Sequence, residues 1–93
     1  MTNLFTVEKK ITANKDISPR FAKNFVSDIA NIKSNIYFVM EDKGINAKSI
    51  LGIISINIKN GNKFNVVVCN PLSQEEADDD MNNVIELLLG EEK

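Results

Sequence analysis

Asp16-Ile17-Ser18-Pro19-Arg20-Phe21-Ala22 reads as the opening of a helix, and the chain can be read outward from it. Serine is a favoured N-cap because its hydroxyl oxygen accepts from a free amide of the first turn. The proline after it has no N–H to lose and already holds a helical φ. Phe21, Ala22, Phe25, Val26, Ile29 and Ala30 then recur as one apolar stripe at a period of 3.6. Arg20, Lys23, Asn24, Ser27 and Asp28 take the other side.

Upstream, Leu4 to Ile11 alternates as a strand, with Phe5, Val7 and Ile11 on one face and Lys9 the misfit. Thr12 to Asp16 is a polar loop. Downstream, Ile36, Phe38 and Met40 alternate with Tyr37, Val39 and Glu41 in a second strand. Asp42-Lys43-Gly44 is the predicted turn, with Gly44 free to take a positive φ, and Ile45 to Ala47 the third strand.

Lys48 to Ile56 is ambiguous. Its β-branched residues favour a strand, and Gly52 disfavours a helix interior. Ser49 as N-cap, with Ile50, Ile53 and Ile54 at helical spacing, argues for a short helix, which is the reading adopted. Such a helix is apolar nearly all round, so some of Ile50, Leu51 and Ile54 must stay exposed. Exposed apolar clusters on a small protein often mark binding surfaces.

Lys59-Asn60-Gly61-Asn62 is a turn. Phe64, Val66 and Val68 alternate with Asn65, Val67 and Cys69 in a fourth strand, which Asn70-Pro71 ends. Ser73 and Glu76 match a capping box. The helix they open presents Ala77, Met81, Val84, Ile85 and Leu88 on one face, with Gly90 placed to close it at C′. Its acidic first turns suit the positive end of the helix dipole. The order β-α-β-β-α-β-α predicts an α+β fold with one antiparallel sheet and helices on one face.

Ninety-three residues, 43% hydrophobic and 26% charged, suit a single domain spanning 1–93. No apolar run nears the ~20 residues that cross a bilayer. The first five residues lack the basic and apolar regions of a signal peptide, so a cytoplasmic location and no membrane partner are expected. Residues 1–70 carry ten basic and five acidic side chains; residues 71–93 carry one and eight. The basic residues are scattered and have no aromatic stacking platform, which argues against nucleic acid. An acidic protein partner suits them better.

No enzyme constellation stands out. The chain has no histidine, which excludes the usual triads and histidine-bearing zinc sites. Neither phosphate-binding glycine motif is present. Glu75 to Asp80 lacks calcium-loop spacing and is explained by its place at a helix start. Cys69, in an apolar run with no base to activate it, reads as a sheet residue. No catalytic residue, metal or cofactor is therefore expected. Ser18 and Ser49 remain, each read first as an N-cap. Ser49 differs in having Ile50, Leu51 and Ile54 beside it, where a phosphoryl group could switch a partner surface.

Together these features resemble HPr, the small phosphocarrier family of the bacterial sugar phosphotransferase system. The most specific stretch is Asn46-Ala47-Lys48-Ser49-Ile50-Leu51-Gly52-Ile53-Ile54-Ser55, similar to the segment around that family's regulatory serine. Counted back without a gap, Ile17-Ser18-Pro19-Arg20-Phe21-Ala22 falls on the family's Leu-His-Ala-Arg-Pro-Ala. Arg20 matches; Ser18 stands where the histidine carries phosphate; Pro19 and Phe21 also depart. The resemblance implies an open-faced β-sandwich with sheet order 1-4-2-3 and three helices on one face. It also implies that the phosphorelay is lost, since a serine phosphoester is too stable to pass phosphate onward.

The pattern is similar to the catabolite-repression HPr-like proteins of low-GC Gram-positive bacteria, which also lack the histidine. By that resemblance HPr kinase/phosphorylase would modify Ser49 and a catabolite control protein A-type regulator would bind the product. Phosphotransferase-system proteins are further expected partners. Ile17, Arg20, Lys48, Ile50, Leu51 and Ile54 would form the binding surface. Two other readings remain: an HPr-like interaction domain without phospho-regulation, and an active phosphocarrier using Ser18 or another group.

Overall fold

The computed structural model describes residues 4–90; Met1–Asn3, where the targeting-signal reading begins, and the acidic end 91–93 lie outside them. The elements are β1 (Phe5–Thr12), α1 (Pro19–Ile29), β2 (Asn35–Met40), β3 (Lys43–Asn46), α2 (Ile50–Ile56), β4 (Lys63–Asn70) and α3 (Gln74–Leu89). One four-stranded antiparallel sheet has the order β1-β4-β2-β3, as expected, and the three helices cover one face.

Alternation does most of the positioning. Phe64, Val66 and Val68 on β4 and Ile36 and Phe38 on β2 turn inward and are buried. Ala22, Phe25 and Ile29 of α1, Ile53 and Ile56 of α2, and Met81, Val84 and Leu88 of α3 meet them. Phe38 is at the centre, with ring centroids 5.7 Å from Phe25 and 5.3 Å from Phe64. Lys9, the misfit of β1, faces α3 across a groove it shares with Val7, Asp78, Met81 and Asn82. β1 is an edge strand, so its apolar face is only partly covered and Phe5 remains exposed. A charged side chain there is tolerated, and it also discourages pairing with another chain's edge.

Each helix starts as the sequence requires. Ser18 Oγ accepts from the Phe21 amide at 3.1 Å, Ser49 Oγ from Gly52 at 3.0 Å, and Ser73 Oγ from Glu76 at 3.0 Å. Two backbone expectations are corrected. The β2–β3 turn is Glu41-Asp42, and Glu41 rather than Gly44 takes the positive φ, at 58°. The cause is register. Phe38 pairs with Ile45, both inward; the Asp42-Lys43-Gly44 turn would set Ile45 opposite Glu41 and turn it to solvent.

Gly90 is the second correction. It closes α3 in an extended conformation, φ −63°, not in the left-handed one. The terminal carbonyls are met from the β1–α1 loop instead. Asn14 Nδ2 donates to Leu89 O at 2.8 Å and Lys15 Nζ to Gly90 O at 3.1 Å.

A polar cluster at the end of β4 was not foreseen. Asn70 is buried; its Nδ2 donates to Ser34 Oγ at 2.9 Å, and its Oδ1 accepts from the amides of Leu72 and Ser73. Ser34, also buried, donates to Asp80 Oδ2 at 2.5 Å. The cluster fixes the start of β2 and the entry to α3 against β4. Asn70→Ala leaves Ser34 Oγ and two amides short of a partner and should cost about 1–3 kcal/mol. Urea titration followed by circular dichroism measures it; a loss below a few tenths of a kcal/mol would show that water replaces the amide.

Candidate functional site

Ser49 lies at the head of α2, set there by a chain of local bonds. Asn46 ends β3; its Oδ1 accepts from Lys48 N at 2.9 Å and its carbonyl from Ser49 N at 3.0 Å. That tight turn brings the Ser49 hydroxyl onto the free amide of Gly52. Gly52 is also where a side chain would crowd, since an added Cβ would lie 3.3 Å from Asn46 O and from Ser49 Oγ. The glycine that argued against a helix thus permits this one to start close under β3.

The apolar neighbours divide as a nearly all-apolar helix must. Ile53 and Ile56 are buried, whereas Leu51 is 79% exposed, Ile50 38% and Ile54 37%. Leu51 lies two residues from the Ser49 hydroxyl and is the most exposed large apolar side chain among the described residues.

Two of the expected surface residues also have structural roles. Ile17 is only 9% exposed and belongs to the core; its amide donates to Ile58 O at 2.9 Å. Its side chain therefore has almost no area to offer a partner. Lys48 is half-buried, and its ammonium donates to Ile32 O, just past the end of α1. It ties the α2 entry to the α1–β2 connection, where a cation also suits the negative end of the helix dipole.

Ser18 and Arg20 are exposed at the start of α1. The Ile17–Ile58 bond places that start beside the residues following α2, whereas Ser49 precedes it. Ser49 thus precedes α2, and Ser18 lies toward its other end. Lys15 lies over the Phe21 ring at 5.1 Å, close to the α1 start. Among the described residues no group of three His, Cys, Asp or Glu side chains is placed to hold a metal ion. No described helix is long and apolar enough to cross a membrane. Cys69 is half-buried on the open face of the sheet, where Thr6 Oγ1 donates to its sulfur at 3.6 Å.

A family model described as "PTS HPr component phosphorylation site" matches residues 5–87. No curated protein matches the chain. HPr-C-His from Thermoanaerobacter tengcongensis is 31% identical, with 95% of this chain and 98% of that one covered and a TM-score of 0.66. The phosphocarrier protein HPr from Bacillus anthracis gives a TM-score of 0.76 at 22% identity, with 89% and 96% covered. Crh, the catabolite repression HPr of Bacillus subtilis, gives 0.59 at 22% identity, with 92% and 100% covered. These last two likenesses speak to the fold.

Proposed function

Because the chain belongs to the HPr family of the bacterial phosphotransferase system, we propose that it is a non-catalytic regulatory member, phosphorylated on Ser49 and acting by binding proteins in carbon catabolite regulation. The observation that carries this reading is the Ser49 site itself. A hydroxyl at a helix start stands beside Leu51, an apolar side chain with little else to do than meet a partner. The absence of any histidine supports it from the other side, because the chain has no imidazole to form the labile phosphohistidine of a relay.

The kinase in this reading is an HPr kinase/phosphorylase. It transfers the γ-phosphoryl group of ATP to Ser49 Oγ, breaking the bond to the bridging oxygen, with ADP leaving and the hydroxyl proton going to a base of the kinase. The product presents a charge of about −1.5 to −2 beside Ile50, Leu51 and Ile54. A catabolite control protein A-type regulator is the proposed reader, apolar contacts giving affinity and the phosphoryl group giving control. Arg20 contributes from the α1 side, and phosphotransferase-system proteins are further partners. The setting is the cytoplasm. Ile17 supports this surface from the core, and half-buried Lys48 borders it.

Incubation with ATP and the host's HPr kinase/phosphorylase, followed by mass spectrometric mapping, tests the reading. One phosphoryl group is expected, on Ser49. An unmodified Ser49 under conditions that phosphorylate a control HPr would leave an HPr-like interaction domain without phospho-regulation.

A further inference from the structure

α1 packs against both α2 and α3. Between it and α3 lies a groove of about 350 Å³, lined by Asp28, Ile32, Asn83, Glu86 and Leu87. Its lining is of two kinds. Ile32 and Leu87 are half-buried and packed on the core, forming an apolar floor. Asp28, Asn83 and Glu86 are exposed and bring two carboxylates and an amide. Asp28 sits in the last turn of α1, which has no basic residue. Its charge adds to the negative end of that helix dipole, where the Lys48 ammonium, on Ile32 O, is the cation already present.

Lys48 approaches from the α2 side, but its ammonium is bonded to the Ile32 carbonyl. Among the described residues, neither the Asp28 nor the Glu86 carboxylate accepts a side-chain hydrogen bond. The volume is at the low end of the ~300–1,000 Å³ of small-molecule sites, so it has room for a side chain rather than a cofactor. A metal ion would gain nothing from the apolar floor. An aliphatic stem ending in a cation uses every part of the lining.

We propose that this groove is a docking site for an arginine side chain presented by a partner protein. The stem lies on Ile32 and Leu87. The planar guanidinium, with five donors in a fixed fork, spans the Asp28 and Glu86 carboxylates, and the Asn83 amide oxygen is a third acceptor. Lysine, a compact and strongly hydrated charge, lacks the planar fork that serves two carboxylates at once. None of these residues is part of the Ser49 surface, so this contact is a second one, independent of phosphorylation.

The test is a nitrogen-15 NMR titration of the full chain with acetyl-arginine methylamide, and with its lysine and norleucine counterparts. Saturable millimolar shifts are expected at residues 28, 32, 83, 86 and 87 with the arginine probe, and weaker binding with lysine. An Asp28→Asn, Glu86→Gln double variant should bind it at least ~5-fold less well, the scale of one modest ion pair. Both positions are exposed, and an unchanged thermal midpoint shows that the variant is folded. The absence of saturable shifts, equal shifts with norleucine, or undiminished binding by the variant would each overturn the proposal. Ser49→Ala should leave the titration unchanged.

Discussion

Phe38→Ala should destabilise the fold by about 3–5 kcal/mol, the usual cost of truncating a buried phenylalanine. Phe38 has no solvent-exposed area. Its ring touches the helix layer through Phe25, tilted by 41°, and its neighbouring strand through Phe64, near edge-on at 66°. The truncation therefore opens a cavity between two layers, and closing it would require α1 to settle on the sheet. But α1 is held at its start by the Ile17–Ile58 bond and at its end by Lys48 on Ile32 O. A domain of this size has only ~5–15 kcal/mol of stability in all, so the variant would lose about a fifth of it or more. Urea titration should show a lower midpoint at an unchanged slope. Tyr37→Ala, one residue away on the open face, should cost less than half as much. A Phe38→Ala loss below ~2 kcal/mol would mean that the helices can settle into the void.

Phe38 also shows why most of the fold was legible. Its burial follows from alternation along β2, and the same logic gives Phe64, Val66 and Val68 on β4. The helices were legible because Ser18, Ser49 and Ser73 each cap with their own side chain, an interaction spanning three residues. What local patterns cannot carry are the bonds between distant residues. Gly90 was expected at C′, yet it is the extended C-cap, and Asn14 and Lys15, 75 residues earlier, meet the α3 end. Ser34, Asn70 and Asp80 look like ordinary loop and surface residues until β2, β4 and α3 converge. In the hairpin two signals conflicted. Gly44 offered an easy turn, and the inward pairing of Ile45 with Phe38 outweighed it, at the cost of a positive φ on Glu41. The candidate site was half legible. Ser49 and its exposed flank came from pattern and resemblance. That Lys48 turns inward depends on where α1 ends, which only the packed structure shows.

Ser49→Ala should abolish phosphoryl incorporation and, separately, cost stability, and the two effects can be pulled apart. The hydroxyl caps the Gly52 amide and, in the function proposed above, is also the kinase's acceptor. Alanine removes both, so a loss of about 0.5–2 kcal/mol should accompany the loss of phosphate. Ser49→Asp keeps a capping oxygen and puts a negative charge at the positive helix end, so it should hold near wild-type stability and still take no phosphate. It carries only one charge and two oxygens, and should imitate the phosphorylated protein weakly. Leu51→Ala is the complement. Leu51 is 79% exposed, so truncation should move stability by no more than ~0.5 kcal/mol. If Leu51 anchors the phosphorylated protein on its regulator, the same change should weaken that complex ~10-fold or more, about 1.4 kcal/mol or above. Calorimetry with the phosphorylated protein and a catabolite control protein A-type regulator reads the affinity, and thermal unfolding reads the stability. A regulator that binds phosphorylated Leu51→Ala as tightly as the parent would show that α2 presents its leucine to something else. A partner that binds Ser49→Ala undiminished would show that the surface works without its switch.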